Sequence, residues 1–370
     1  YLAISQAAAP YGLYYAPDPS SQIACSIGGN VAENAGGVHC LKYGLTVHNV
    51  LQVTMLTIEG ELVTIGSLAP EQTGPDLLGL LHGSEGMLGV IVEIVVKLLP
   101  LPPVTKTLLA AFPTVQQAGD AVAAVIAAGV IPAGMEMMDN PAIRAAEDFV
   151  QAGYPRDAAA ILLVELDGQA EEVDAQLERV HALLQEHQAS EIRLARDDAE
   201  RARFWLGRKA AFPAVGRITP DYYCMDGTIP RKHLAYVLQR MNEMSREYGL
   251  PVVNVFHAGD GNLHPLILYD VSKPGELERT EEFGGKILEL CVEVGGTITG
   301  EHGVGMEKIN QMCVQFSPAE ITQFHAIKRA FDPRALLNPG KHIPTLNRCA
   351  EFGAMHVHGG QLPHPDLERF

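Results

Sequence analysis

Residues 252–265 read VVNVFHAGDGNLHP and lead directly into a second apolar run, LILY, at residues 266–269. β-Branched and aromatic residues dominate the first five positions, which is typical of a buried strand. The Gly-Asp-Gly-Asn sequence at 259–262 is strong turn chemistry, because glycine adopts positive φ and because Asp and Asn bond nearby backbone groups. The segment therefore predicts two strands of one sheet, joined by a tight polar turn.

A histidine stands at each mouth of this turn, His257 before it and His264 after it. If the two strands pair, these residues can lie opposite each other on one face of the sheet. Two imidazoles in that position can form a metal pincer or an acid–base pair. A carboxylate and a third histidine, Glu301 and His302, follow in a second glycine-framed segment, TITGEHGVG at 297–305. A lone histidine at a strand end is more often structural, so the predicted site depends on this combination.

The composition describes a globular chain that is long enough for two domains. It has 370 residues, of which 47% are hydrophobic, and its formal charge is −17; a single core rarely extends over such a length. The negative charge argues against nucleic acid and against an anionic membrane surface as partners. The cysteines form no C-x-x-C pair, which excludes zinc-ribbon and dithiol redox motifs. The most apolar run, 89–101, contains Glu93 and Lys97 and is too short to span a bilayer, so no transmembrane segment is predicted.

Two further glycine-rich segments lie early in the chain, SIGGNVAENAGG at 26–37 and GSEGMLG at 83–89. We interpret the first as a loop whose backbone N–H groups can form a concave anion-binding surface. It is not a Walker loop, since no Gly-Lys-Ser/Thr follows, and it is not a Rossmann fingerprint, since no clear strand precedes it. Between the two segments, 50–59 and 62–65 predict a hairpin. Prolines at 100, 102 and 103 indicate a domain boundary.

From residue 105 onward, strand and helix patterns alternate. Further strands are predicted at 107–111, 134–138, 160–166, 191–195 and 221–229. Helices are predicted at 115–128, 141–150, 170–187, 197–212, 231–248, 276–294 and 318–330, with Thr114, Asp197 and Ser317 as suitable N-cap residues. This pattern predicts an α+β domain in which the helices cover one face of a sheet.

Five segments occur in an order that is typical of a known family: SIGGNVAENAGG (26–37), GSEGMLG (83–89), HAGDGNLHP (257–265), GEHGVG (300–305) and LNPGK (337–341). By these motifs the chain resembles the FAD-linked D-2-hydroxy-acid dehydrogenases, flavoproteins of the vanillyl-alcohol-oxidase type. Within them it is most similar to the flavin subunits of bacterial glycolate oxidases, and next to the FAD-linked D-lactate dehydrogenases. The resemblance implies an α+β fold: a partial FAD-binding domain of the vanillyl-alcohol-oxidase/p-cresol-methylhydroxylase type (1–103), a ferredoxin-like α+β substrate or cap domain (104–315), and a helical segment (316–370) that returns to the flavin.

The resemblance also implies which residues hold FAD, largely through their backbone groups. These are Ile27, Gly28, Gly29, Asn30, Ala32, Asn34, Gly36, Gly37, Ser84, Glu85, Gly86, Gly89, Val90, Ile91, Asn338 and Lys341. In the family, a first glycine-rich pyrophosphate loop lies upstream of residues 26–37, and nothing in this chain corresponds to it. We therefore expect an N-terminally truncated chain, with an inactive remnant that lacks this loop as the alternative.

Oxidation of a 2-hydroxy acid needs a hydride acceptor, which flavin supplies, and a group that takes the hydroxyl proton. In the resembling dehydrogenases, the positions of His257, His264 and Glu301 are metal ligands, and a divalent metal there would lower the pKa of the substrate hydroxyl. Two imidazoles and one carboxylate suit Zn²⁺, Mn²⁺ or Fe²⁺ without choosing among them. His302 is the expected general base, since its ordinary pKa suits proton transfer near neutrality.

Capture of the substrate carboxylate is assigned to Arg208, in WLGRK at 205–209, because a guanidinium can grip a carboxylate with two hydrogen bonds. The family places a substrate arginine in this W-x-x-R position. Some relatives add a lysine on the next strand and an asparagine two residues after the second histidine, but here residues 222–227 contain no lysine and Leu266 replaces the asparagine. These departures favour a small substrate with one carboxylate, glycolate or D-lactate, over a dicarboxylate.

The electrons are expected to pass to a partner or a quinone rather than to NAD, and this chain has no iron–sulfur cysteine spacing of its own. The expected partners are electron-accepting subunits, one with iron–sulfur clusters and one of a second FAD type. The expected location is the cytoplasm, with attachment to the inner membrane only through these partners. A metallohydrolase built on the two histidines and Glu301 is a competing interpretation, but it leaves the flavin-type segments unexplained.

Overall fold

The computed structural model describes residues 2–69 and 74–345. The strands are β1 (Leu13–Tyr14), β2 (Val50–Leu56), β3 (Leu62–Gly66), β4 (Val90–Val96), β5 (Leu99–Pro100), β6 (Val104–Phe112), β7 (Gly134–Asp139), β8 (Ala160–Gly168), β9 (Glu191–Leu194), β10 (Asp221–Cys224), β11 (Val252–His257) and β12 (Pro265–Tyr269). The helices are α1 (Leu2–Ala8), α2 (Ile27–Glu33), α3 (Cys40–Tyr43), α4 (Leu77–Leu81), α5 (Val115–Ala127), α6 (Asn140–Val150), α7 (Ala170–Glu186), α8 (Asp198–Val215), α9 (Leu234–Tyr248), α10 (Glu276–Glu293), α11 (Met312–Gln315) and α12 (Pro318–Phe331). The predicted segment 316–370 is thus described to residue 345. None of the helices in the described ranges combines the length and the apolar character needed to cross a bilayer.

A three-stranded antiparallel sheet in the order β3-β2-β4 organises the first hundred residues. The predicted hairpin is present, with Val53 opposite Ile65. Helix α2 packs on this sheet through Val31, which is fully buried. The C-terminal helix α12 reaches the same core, and the ammonium of Lys328 donates to the Met87 carbonyl at 2.8 Å. An early helix and the last described helix therefore meet at this sheet.

A seven-stranded antiparallel sheet in the order β10-β12-β11-β7-β8-β6-β9 organises the rest of the chain. Alternate residues of β6 enter different cores: Leu108 and Ala110 face the core that contains α5, α7, α9 and α10, whereas Leu109 and Ala111 face α6 and α8. The prediction of helices on one face only is therefore wrong. The last six residues of β6 and the first eight of β8 are buried, so both faces of these strands are covered.

The glycines of segment 26–37 predicted a loop, but residues 27–33 form helix α2. The Ser26 hydroxyl caps this helix by accepting the Gly29 N–H at 3.1 Å. A Cβ at Gly28 would lie 3.1 Å from the Ile91 carbonyl oxygen. The glycine here therefore permits close packing of a helix on strand β4, a use that sequence composition does not distinguish from a ligand loop.

Two of the predicted boundaries that differ from the structure lie close to each other in the chain. The strand predicted at 221–229 ends at Cys224, and Thr228 forms only isolated bridges with Asn262 and Thr297. The helix predicted at 197–212 runs as α8 from Asp198 to Val215 and contains Pro213. Both differences lie where the chain turns towards the histidine hairpin.

Polar side chains join the two sheets. His39 lies between two carboxylates, with Nδ1 2.9 Å from Asp18 and Nε2 3.1 Å from Glu165 on β8. Lys42 and Tyr43, from α3, both bond Asp167 at the end of β8, at 2.5 and 2.7 Å. These contacts hold the first hundred residues against the large sheet.

Candidate active site

The histidine hairpin forms as predicted, but its register differs from the expectation. Strands β11 and β12 pair antiparallel, and His257 faces Asn262, so His264 lies diagonally across from it. The two rings still share one face, with centroids 5.1 Å apart at an angle of 85°. Asp260 stabilises the turn by accepting the Asn262 N–H at 3.0 Å, and Gly261 has φ +84°, a conformation that favours glycine.

Glu301 joins the two histidines from the second glycine-framed segment. Its Oε1 lies 3.2 Å from His257 Nε2 and 3.1 Å from His264 Nε2, and its Oε2 accepts the Gly36 N–H at 2.9 Å. The three side chains are largely buried. The predicted ligand set is thus gathered at one point, and the backbone of the first domain holds its carboxylate.

Glu136 orients His257. It lies opposite His257 on β7, is 1% exposed, and accepts from Nδ1 of that ring at 2.7 Å. Its other oxygen, Oε2, accepts a hydrogen bond from Nε of Arg208 at 2.8 Å and lies 2.7 Å from Nη2 of the same guanidinium. Burial by itself would raise the pKa of Glu136, but the charges of His257 and Arg208 outweigh it and lower the pKa. The sequence analysis does not single out this residue, although a glutamate between apolar strand residues is a signal that the sequence offers.

The donor set fits a divalent cation. A carboxylate can only accept, so His257 Nδ1 carries the proton given to Glu136, and a neutral ring then presents a lone pair at Nε2. That lone pair faces Glu301 Oε1, which His264 Nε2 also approaches, so His257 between its two carboxylates needs a cation or an added proton. Without a cation, burial opposes protonation of His257, but Glu136 and Glu301 raise its pKa well above its usual range.

Distances and partners agree with the same interpretation. Metal–ligand bonds of about 2.0–2.2 Å place neighbouring ligand atoms roughly 3 Å apart, close to the separations seen here. Nδ1 of His264 is buried without a hydrogen-bond partner. A second group of possible ligands, Asp226, His264 and His302, is less suitable, because the Asp226 carboxylate is already paired with the ammonium of Lys308.

Asp226 holds the segment that carries Glu301 and His302. It is fully buried, and its Oδ2 accepts the backbone N–H groups of Gly300, Glu301 and His302 at 3.0, 2.6 and 2.8 Å. Its Oδ1 pairs with Lys308, whose side chain is 2% exposed. The sequence analysis singles out neither residue, because the two lie 82 positions apart and no short motif relates them. Asp226 lies just past β10, where the strand was predicted to continue.

His302 faces the same cavity, with its ring centroid 4.9 Å from that of His264. The partial burial of its ring lowers its pKa, together with His264 and Lys308 and against the opposing charge of Asp226. A neutral imidazole at this position can accept a proton. The predicted general base therefore stands next to the predicted ligands, in a protonation state suited to the role.

A cavity of about 480 Å³ connects these groups. Arg208, 2% exposed, is the single Arg or Lys side chain that lines it among the described residues. Two of its nitrogens are occupied by Glu136, so only part of the guanidinium is available to a ligand. The opposite wall is built from the first domain, including Ser26, Gly29, Asn30, Glu33 and Ala35.

The predicted cofactor residues differ in where the structure places them. Gly29 and Asn30 line the cavity. Others connect the walls: the Glu85 N–H donates to the Ala32 carbonyl at 2.8 Å, and the Asn338 side chain donates to the Glu85 carbonyl at 2.6 Å. The Glu85 carboxylate itself accepts backbone N–H groups of the glycine-framed segment, so it supports the site and does not face a ligand. Lys341 is exposed. The small residues and the exposed backbone of the first-domain wall fit a flat cofactor that approaches closely.

Two family models match the chain: "FAD linked oxidases, C-terminal domain" over residues 101–342 and "FAD binding domain" over residues 2–66. Glycolate oxidase subunit GlcD of Escherichia coli (strain K12) is 68% identical over 369 residues, covering 100% of this chain and 74% of that protein. A D-lactate dehydrogenase of Anaerostipes hadrus is 31% identical over 347 residues, covering 91% of this chain and 73% of that protein.

Among solved structures, p-cresol methylhydroxylase with substrate bound has a TM-score of 0.72 at 17% identity, covering 90% of this chain and 72% of that one. At this identity the likeness speaks for the fold alone. The predicted α+β fold of the vanillyl-alcohol-oxidase type is confirmed, and so is the predicted dependence on FAD.

Proposed function

This chain belongs to the family of FAD-linked oxidases and is an FAD-dependent 2-hydroxy-acid dehydrogenase, and from that premise we propose that it oxidises glycolate or D-lactate to the 2-oxo acid with the help of a divalent metal. One observation supports the proposal above the others. His257 and His264 each place Nε2 within 3.2 Å of Glu301 Oε1, beside a cavity that His302 and Arg208 also line.

Each residue has a task in the proposed reaction. FAD, when bound, supplies the acceptor for the hydride of the α-carbon. His257, His264 and Glu301 would hold the metal, whose chemistry is to acidify and orient the substrate hydroxyl. His302 takes the hydroxyl proton. Arg208 attracts the substrate carboxylate through the N–H groups that Glu136 leaves available.

Two buried carboxylates keep this arrangement in place. Glu136 fixes the ring of His257 and the fork of Arg208, so that a single side chain relates the metal site to the carboxylate site. Asp226 fixes the backbone of Glu301 and His302. Because neither contacts the cavity directly, both act by positioning.

We propose further that the electrons pass to partner subunits and not to NAD. The name of the Escherichia coli relative describes a subunit of an oxidase, which is consistent with such an assembly. The absence of iron–sulfur cysteine spacing in this sequence agrees with a separate electron carrier.

The flavin provides the direct test of substrate. Purified with FAD, the protein should show bound-flavin absorbance that glycolate or D-lactate bleaches under anaerobic conditions, while L-lactate serves as the stereochemical control. Bound flavin that no 2-hydroxy acid bleaches would overturn the substrate proposal.

Metal analysis tests the second part. His264→Ala should remove a stoichiometric divalent metal and most of the bleaching rate, whereas His187→Ala, at the end of α7, should retain both. An equal metal content in wild type and His264→Ala would refute the metal assignment.

A further inference from the structure

His39 is bound to two carboxylates whose surroundings reach different walls of the catalytic cavity. Its ring lies 2.9 Å from Asp18 through Nδ1 and 3.1 Å from Glu165 through Nε2. Its backbone N–H also donates to Asp18, at 3.2 Å. The ring therefore connects the first domain with strand β8 of the large sheet.

Asp18 leads into one wall of the cavity, because the next three residues, 19–21, line it. Gly37 packs against the backbone here: a Cβ at Gly37 would lie 2.6 Å from the carbonyl carbon of Asp18. The adjoining Gly36 N–H is the donor that holds Oε2 of the proposed metal ligand Glu301, at 2.9 Å. The position of Asp18 is thus coupled to the wall 19–21 and to a contact of the metal site.

Glu165 leads to a second wall. It is 6% exposed and accepts the indole N–H of Trp205 and the hydroxyl of Thr107, both at 2.7 Å. Trp205 lies on α8, three residues before Arg208. The bond to Glu165 therefore holds the helix that carries the proposed carboxylate-binding group.

We propose that His39 is a positioning residue for the reaction: by joining Asp18 to Glu165, it holds the wall 19–21 and the Gly36 N–H in place relative to Arg208. This inference rests on the proposed function for its effect on the reaction. The bridge itself can be tested without substrate.

The bridge is complete only when the ring is protonated. Ionised carboxylates can only accept hydrogen bonds, and a neutral imidazole donates from one nitrogen, whereas an imidazolium donates from both. Loss of the proton therefore leaves either Asp18 or Glu165 without its bond to the ring. The connection between the two walls then opens.

The charges around the ring favour the closed bridge. Burial opposes protonation of His39, but Asp18 and Glu165 raise its pKa well above the usual value. Further charged groups surround this contact on α8, β8 and α3, and they are Asp198, Arg201, Lys209, Asp167 and Lys42. Four of them form ion pairs, at 3.2 Å within α8 and 2.5 Å between α3 and β8, and Lys209 is exposed. The bridge is therefore present near neutral pH and is lost as the pH rises through the raised pKa.

Tryptophan fluorescence tests the protonation of the bridge. Trp205 is the single tryptophan of the chain, and its ring centroid lies 6.4 Å from that of His39. A protonated imidazole quenches an excited indole more strongly than a neutral one, so the emission of the purified protein should rise between about pH 6.5 and 10. His39→Gln should lack this transition, and His187→Gln, at the end of α7, should retain it. A wild type without the transition, or a His39→Gln variant that keeps it, would overturn the proposal.

Hydrogen exchange tests whether the cavity wall depends on the bridge. At about pH 6.5, where the ring is charged, the Gly36 N–H should exchange faster in His39→Gln than in wild type, because its bond to Glu301 opens more often. His187→Gln should exchange like wild type. Equal exchange at Gly36 in all three proteins would contradict the positioning role.

Kinetics with cationic replacements tests the effect on the reaction. At about pH 6.5, His39→Gln should lower kcat/KM for glycolate about 10–100-fold, as expected when site groups are misplaced by a fraction of an ångström to an ångström. His39→Arg and the smaller cation of His39→Lys can donate to both carboxylates at any pH of the assay. They should recover much of this loss and move the alkaline limb of the pH profile to higher pH.

Wild-type kcat/KM in His39→Gln, or cationic variants no more active than His39→Gln, would refute the positioning role. A wild type that oxidises no 2-hydroxy acid would contradict the proposed function instead. In that case the fluorescence and exchange results would still decide whether His39 bridges the two walls.

Discussion

Replacement of Asp226 by asparagine should destabilise the protein severely, because it removes one member of a buried ion pair and retains the other. Asp226 is fully buried, and the ammonium of Lys308 is 2% exposed. Asparagine keeps the shape of aspartate but has one acceptor oxygen. If that oxygen faces the backbone N–H groups of residues 300–302, the amide NH₂ faces the ammonium; if the side chain is flipped, the NH₂ faces the three N–H groups.

Either orientation leaves the Lys308 charge without a counter-charge. Thr299 Oγ1, at 3.2 Å, is its remaining described partner and carries no charge. Removal of one member of a buried ion pair costs about 3–5 kcal/mol, so Asp226→Asn should lower the free energy of unfolding by that amount. Lys308→Met should cost less, because the Asp226 carboxylate retains three backbone donors.

Urea denaturation of the two single variants and the double variant Asp226→Asn/Lys308→Met measures this directly. The double variant should recover much of the stability that Asp226→Asn loses, since it contains no orphaned ammonium. Asp226→Asn within about 1 kcal/mol of wild type, or a double variant as unstable as Asp226→Asn, would refute the reasoning, because about 3 kcal/mol is the minimum expected for a broken buried pair.

Three further outcomes are expected. Glu136→Gln should weaken divalent metal binding about 10–100-fold in chelator competition, because the ring of His257 loses its anionic partner. The exposed helix variant Glu178→Gln is the control, and equal metal affinity in the two variants would argue against this role. Burial opposes protonation of His39, but its two flanking carboxylates raise its pKa well above the usual value. The stability that His39 contributes is therefore complete below about pH 6.5 and fades as the pH rises through the raised pKa. In His39→Gln the urea midpoint should depend less on pH between about 6.5 and 9, and a pH dependence equal to that of wild type would count against this. Arg208→Lys should raise KM for glycolate about 10–100-fold, as expected for the loss of a charge-assisted hydrogen bond, and steady-state kinetics with an unaltered KM would exclude the carboxylate assignment.

Local chemistry in the sequence was sufficient to predict the hairpin around residues 257–264 and most of the helices and strands. Turn residues, apolar periodicity and N-caps act over a few positions, so they can be interpreted without knowledge of the fold. The same applies to Glu301 and His302, which stand out because glycines frame them. The order of five short motifs then indicated the flavoprotein family, and the fold and the FAD-linked chemistry followed from it.

What the tertiary structure alone decided are the partners of these residues. His257 and Glu136 are 121 positions apart, and Asp226 and Lys308 are 82 apart, so no local pattern relates them. Glu33 and Glu85 are recognised as neighbours only once the fold places both beside Gly303. Burial and charge pairing are properties of the packed chain, because the dielectric around a carboxylate and the donors that reach it come from several distant segments. For the same reason the sequence indicated where the reactive side chains stand, while the fold determined their orientation and protonation.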